Sequence, residues 1–148
     1  MSEQLWTFDT RGSGDPVGRS LTALAEVGMI TDVPAAADLI REREADGSTY
    51  VGRGTALPHL VGDAARSSGV LATRCDPTEW GDAEVCLLVF LIAPSVAALG
   101  EGRIESVLRR LVAIGLDAPS DRHAHQQTLQ LLTELGARDI EREKETWA

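Results

Sequence analysis

Aromatic residues are scarce in this 148-residue chain, at 4%: three Trp, two Phe and one Tyr. Its core must therefore be built from Leu, Val, Ile and Ala. The apolar share of 43% and charged share of 25% are ordinary for a soluble globular protein. Basic residues are also few, with 14 Lys and Arg against 23 Asp and Glu and a net charge of −9. Binding to a phosphate backbone draws on clustered Lys and Arg, so the balance argues against nucleic acid as a partner and disfavours anionic membrane surfaces. Only two cysteines occur, Cys75 and Cys86, too far apart for CxxC redox or zinc spacing. Cys86 lies inside an apolar run, where a reduced thiol behaves as a small hydrophobe. The longest such run, residues 85–93, is about half of what a membrane-spanning helix needs. No basic, apolar, small-residue order opens the chain, so no secretory signal is expected. The expectation is one cytoplasmic domain, large enough to fold without disulfides or metals.

Residues 1–15 contain Gly12 and Gly14, show no period, and read as a flexible lead-in, with at most a short edge strand over 5–8. Asp15 and Pro16 have the character of an N-cap and first helical residue. Leu21, Leu24, Ala25 and Met29 follow at helical spacing. A second helix is predicted from near Pro34 to Gly47, burying Ala36, Leu39 and Ile40. The next position in that stripe, seven after Ala36, is Arg43. Spacing alone leaves two readings: a stem that snorkels its head into water, or a guanidinium placed for a purpose.

Residues 47–59 read as a glycine-punctuated loop ending in Ala56-Leu57-Pro58-His59. A strand is expected over 68–74, and a second over 85–92, closed by Pro94 and apolar enough to be buried on both faces. Ile104, Val107, Leu108, Leu111 and Val112 mark a further amphipathic helix. A last helix carries Leu129, Leu132 and Leu135, stops near Gly136, and leaves a charged tail over 138–148. Interspersed helices and strands with one doubly buried strand predict an α/β sandwich.

Nucleotide fingerprints fail, because Gly52-Arg53-Gly54 has neither a third glycine at dinucleotide spacing nor a following Lys-Ser/Thr. No nucleophile elbow occurs. His123 and His125 form an HxH pair with no further ligands nearby, and read as a solvated helix start. His59 has a different setting, behind a proline, at the end of a glycine-bearing loop and between apolar neighbours. From the residues alone, a transfer reaction centred on His59 is the one sharp hypothesis, beside the plain alternative of a half-buried histidine.

The stretch from Arg43-Glu44 through Gly47-Ser48-Thr49-Tyr50-Val51-Gly52-Arg53-Gly54-Thr55 to Ala56-Leu57-Pro58-His59 resembles the signature of enzyme IIA domains of the sugar phosphotransferase system, in the fructose/mannitol/nitrogen-regulatory class. The likeness spans residues 16–137. It implies a mannitol-type sandwich, a mixed sheet of about five strands with helices on both faces. It also implies that His59 is a phosphoacceptor, that Arg43 stabilises the phosphate, and that Ser48, Thr49 and Gly54 shape the substrate pocket. The chemistry suits these residue types. A free imidazole titrates near 6.5 and is nucleophilic at neutral pH, and an arginine fork complements a dianionic phosphoryl group.

The implied donor is the small histidine phosphocarrier protein and the implied acceptor a cysteine on a IIB partner, with membrane association only through a IIC complex. No metal and no organic cofactor is implied. Alternatives are a nitrogen-regulatory-like signalling module with other protein partners, and a divergent binding domain that is not phosphorylated. The chain departs from the signature at Tyr50, where the family has glycine, and at Leu60. It also has no histidine over 103–106, where many members carry a second one. Tyr50 and Leu60 are expected to narrow the mouth of the pocket.

Overall fold

The first two helices start where the sequence supplies both a capping carboxylate and a proline. In the computed structural model, which describes residues 3–145, Asp15 accepts a hydrogen bond from the Gly18 N–H at 3.1 Å and opens α1 (Pro16–Glu26). Asp32 accepts from the Ala35 N–H at 3.0 Å and opens α2 (Val33–Ala45), with Pro34 in its first turn. Both caps satisfy N–H groups that a helix start leaves without partners.

The sheet is built around a long antiparallel hairpin of β5 (Gly69–Trp80) and β6 (Ala83–Ala93). Gly81, at φ 62°, allows the two-residue turn between Trp80 and Ala83. The ladder breaks between Arg74 and Thr78, a stretch containing Pro77, which has no N–H to contribute. From Leu87 to Ala93 no residue of β6 is more than 1% exposed, so the apolar run is indeed a strand buried on both faces.

β1 (Gln4–Asp9) pairs in parallel with the outer side of β5, and β7 (Arg138–Asp139) with β1. Along the other side of β6 lie two short parallel strands, β3 (Thr55–Ala56) and β4 (His59–Val61). β2 (Tyr50–Gly52) pairs antiparallel with β3. Two apolar layers sandwich this sheet. One packs α1, α2 and Ile140 of α6 (Ile140–Glu145) against Phe8, Leu71, Leu88 and Phe90. The other packs α4 (Ile104–Asp117) and α5 (Asp121–Glu134) against Val70, Leu87, Val89 and Leu91. A four-residue helix, α3 (Val96–Leu99), follows β6. Inside the first layer, the Ser20 and Thr73 hydroxyls meet at 2.8 Å and satisfy each other. Among the described residues no helix is long and apolar enough to cross a membrane.

The mixed sheet with helices on both faces is as expected, but it has seven strands rather than about five. Four of the seven, β2, β3, β4 and β7, are two or three residues long, too short to show a period; β2 and β3 lie within the stretch read as loop 47–59, and β4 begins at its last residue. The lead-in and the tail also differ from expectation. Leu5, Trp6 and Phe8 are at most 5% exposed, because β1 lies between β5 and β7 and is not an edge. The charged tail closes the sheet through β7 and buries Ile140 completely, while the Arg138 guanidinium stacks 4.3 Å from the centre of the Trp6 ring. The last part of that tail, 146–148, lies outside the described residues.

If the C-terminal segment is part of the core, Ile140→Ala should lower the unfolding free energy by about 2–5 kcal/mol, with the denaturant slope unchanged. Glu141→Ala, at an exposed neighbour, should stay within about 0.5 kcal/mol. Urea titrations of both variants test this; equal, small effects would make the segment an appendage.

Candidate functional site

His59 is positioned by the backbone of the most buried strand. It opens β4 in register with Leu91, and the Leu91 N–H donates to the Pro58 carbonyl at 2.9 Å. Pro58 fixes its own φ, so the chain enters β4 with little freedom. The His59 side chain is half-buried, and its Nδ1 lies 2.6 Å from the Leu57 carbonyl oxygen. A carbonyl has no proton to give, so Nδ1 carries the hydrogen. The neutral ring then keeps its lone pair on Nε2.

His59 lines a groove of about 420 Å³. α2 contributes Leu39, Glu42 and Arg43 to it, and Asp46 follows at the end of that helix; Val61 comes from β4, and Val96 and Leu99 from α3. The structure therefore brings together the two residues singled out for transfer chemistry. Arg43 is half-buried and donates one N–H to the Gly47 carbonyl at 2.8 Å, where a cation also suits the end of α2. That bond is the plain structural account of Arg43. It engages one of five guanidinium N–H donors and leaves the rest for the groove.

Ser48, Thr49 and Gly54 are placed elsewhere, and none of them lines the groove. Thr49 is buried, and its hydroxyl and N–H both donate to the Glu44 carboxylate, the N–H at 3.2–3.3 Å. Its carbonyl accepts from the Leu57 N–H at 3.0 Å. The Ser48 hydroxyl accepts from the Tyr50 N–H at 3.1 Å. Gly54 holds φ 67°, and its carbonyl accepts from the N–H groups of Cys86 and Leu87 on β6, at 2.9 and 3.2 Å. These residues bear on His59 through the backbone that delivers it. On sequence Glu44 reads, with Glu42, as a solvated acid of a charged helix; instead it accepts from Thr49 and pins that backbone.

Neither expected obstruction narrows the groove. Leu60 follows His59 on a strand, so its side chain points to the opposite face, where it is completely buried in the α1–α2 layer. Tyr50 is 36% exposed, and its hydroxyl accepts from the Gly54 N–H at 3.3 Å. His123 and His125 lie on α5 and do not line the groove either.

His59 and Arg43 thus share one open groove on an α/β sandwich, the His59 ring half-buried with its Nδ1 against the Leu57 carbonyl. Residues 19–128 match the family described as phosphoenolpyruvate-dependent sugar phosphotransferase system, EIIA 2, and the chain belongs to that family of phosphoryl carriers. The resemblance read from the motif is thereby borne out.

Solved structures agree on the fold. Crystalline IIA mannitol from Escherichia coli is 17% identical, with a TM-score of 0.56 over 84% of this chain and 94% of that one. Nitrogen regulatory protein IIA-Ntr from Neisseria meningitidis is 20% identical, with a TM-score of 0.56 over 81% and 90%. A complex of enzyme IIA mannitol with phosphorylated enzyme IIB mannitol from Escherichia coli gives 16% and 0.57 over 90% and 92%. A search of curated protein sequences finds no match.

Glu44→Ala should strip the buried Thr49 hydroxyl and N–H of their acceptor, at a cost of about 1–3 kcal/mol. Chemical denaturation reads the loss. A change of less than about 0.5 kcal/mol would mean that the Glu44 clamp does not hold the 49–57 segment.

Proposed function

We propose that this protein accepts a phosphoryl group on Nε2 of His59 and passes it on, with Arg43 as the electrostatic partner. The observation that carries this reading is the 2.6 Å contact from Nδ1 to the Leu57 carbonyl, on a ring that lines the same groove as Arg43. The lone pair of Nε2 attacks phosphorus on the donor's phosphohistidine. The new P–N bond forms as the donor's P–N bond breaks, and that electron pair returns to the donor nitrogen. Positive charge gathers on the His59 ring, and the Leu57 carbonyl stabilises it through the Nδ1–H. In the second transfer a partner thiolate attacks the same phosphorus, and the pair returns to Nε2. Such transfers ask the protein for position and charge stabilisation more than for covalent help.

Charge decides how much falls to Arg43. Glu42 and Asp46 line the same groove and repel a dianionic phosphoryl group, and Arg43 is the one cation among the described residues that line it. Its fork opposes both acids at the site where the new charge arrives. The acidic side chains and the net charge of −9 favour partners with a basic docking face, and Val96, 78% exposed beside the groove, adds an apolar contact point. We assign the histidine phosphocarrier protein as donor and a IIB cysteine as acceptor, the pairing that the family implies. A regulatory IIA would use the same chemistry on His59.

Incubation with phosphoenolpyruvate, enzyme I and the histidine carrier should add one acid-labile, alkali-stable phosphoryl group. His59→Ala should abolish it, while the His123→Ala/His125→Ala pair should retain it. Arg43→Lys, which replaces a fork by a point charge, should slow transfer on the order of 10²–10³-fold, as loss of an oxyanion donor does. Label that persists on His59→Ala would remove the assignment, and unchanged kinetics in Arg43→Lys would leave Arg43 as a helix cap alone.

A further inference from the structure

A second cavity, of about 450 Å³, lies toward the opposite end of β6 from His59 and takes no part in the chemistry above. Cys86 stands in its wall, half-buried. The Cys86 sulfur is 3.9 Å from Nδ1 of His125 on α5, at the outer reach of a thiol–imidazole hydrogen bond. On the other side of that ring, Nε2 lies 2.7 Å from the Arg53 carbonyl oxygen. The carbonyl can only accept, so Nε2 bears the proton and the Nδ1 lone pair is turned toward the thiol. A thiol, a base and a group that orients the base form the arrangement of an activated nucleophile, commonly looser before a substrate binds. Gly54 adjoins the ring: a Cβ there would stand 3.4 Å from it, and Gly54 holds φ 67° as well.

The cavity beside this thiol carries a charge balance unlike that of the protein as a whole. Arg11, Arg74 and Arg122 line the cavity, and Asp121 is the one acid among the described residues that does. Arg11 is engaged by Asp9 at 2.7 Å, which leaves Arg74 and Arg122 to meet a ligand. Cys75 also borders the cavity but is 3% exposed, and burial pushes its thiol up to about 11. It is the inert sulfur of the pair. Burial first, then Asp121 and Glu84, hold the Cys86 thiol above its ordinary range, so its proton needs a nearby acceptor.

We propose that Cys86 is a covalent modification site: with His125 as its base, it exchanges with a small disulfide bearing carboxylates, which Arg74 and Arg122 attract. The proton passes from Cys86 Sγ to His125 Nδ1 as the sulfur attacks. The S–S bond of the small disulfide breaks while a new one forms to Cys86. The departing thiolate takes the proton and leaves as a thiol. Cys86 is oxidised and half of the small disulfide reduced, with no other reactant. Cys86 lies five positions along β6 from Leu91, the register partner of His59, about 16 Å at 3.2–3.4 Å per residue. The two sites are therefore separable by experiment.

The test treats the full-length native protein with dithiobisnitrobenzoate, a dianionic disulfide, and with dithiodipyridine, a neutral one, and follows release of the coloured thiol. One equivalent should react, and mass spectrometry should find the adduct on Cys86 and not on Cys75. His125→Asn should slow both reagents by about tenfold or more, below the roughly 10²–10⁴-fold of full general acid–base catalysis. Arg74→Gln with Arg122→Gln, both at exposed positions, should slow the dianionic reagent several-fold and leave the neutral one unchanged. That pair keeps the proposal testable if His125→Asn does not fold. An adduct on Cys75, parental rates in folded His125→Asn, or equal effects of the arginine pair on both reagents would each overturn it.

Discussion

A strand buried on both faces has only its two edges left for hydrogen bonding, and β6 fills both. One edge carries the long antiparallel partner β5, and the other carries β3 and β4 end to end in parallel. Slipping β4 by one residue would send Leu60 toward the groove and His59 into the α1–α2 layer. The complete burial of Leu60 and the cost of burying an imidazole without partners both oppose that slip. The placement of the His59 ring is thus a consequence of register, and register is a consequence of apolar burial.

Electrostatics plays a smaller part in holding the fold. Three of the ion pairs, Arg41–Asp38, Arg109–Glu105 and Arg11–Asp9, join side chains that are both exposed, each worth at most about 1 kcal/mol. Burying a single large aliphatic side chain contributes about 1.5–3 kcal/mol, and the two layers hold dozens of apolar side chains. Charge acts where geometry concentrates it. Arg43 opposes two acids in the His59 groove, and Arg74 and Arg122 line the same cavity as Cys86 in a chain of net charge −9.

What the sequence disclosed tracks the length of each signal. Asp15-Pro16 marks a helix start by capping chemistry and Pro34 marks a second, and the run over 85–92 is long enough to read as a doubly buried strand. His59 and Arg43 were legible because a motif joins them, and the fold gathers them in one groove. The short strands β2, β3, β4 and β7 were not legible, since two or three residues cannot show a period of two. Glu44 and Thr49 meet across a helix end at a spacing that no periodic rule covers. The HxH pair was read as one solvated unit, but residues two apart on a helix point about 200° apart. His123 is exposed as expected, and His125 is turned inward to Cys86, a partner 39 positions away that only folding reveals.

Transfer through His59 turns on one nitrogen atom, so the site of attachment on the ring is the quantity to measure. Nitrogen-15 NMR of the phosphorylated, histidine-labelled protein distinguishes the two ring nitrogens through their shifts and their coupling to phosphorus. The hydrogen bond from Nδ1 to the Leu57 carbonyl leads to phosphorus on Nε2 of His59, with Nδ1 still protonated. Phosphorus on Nδ1, or on any residue other than His59, would contradict the account.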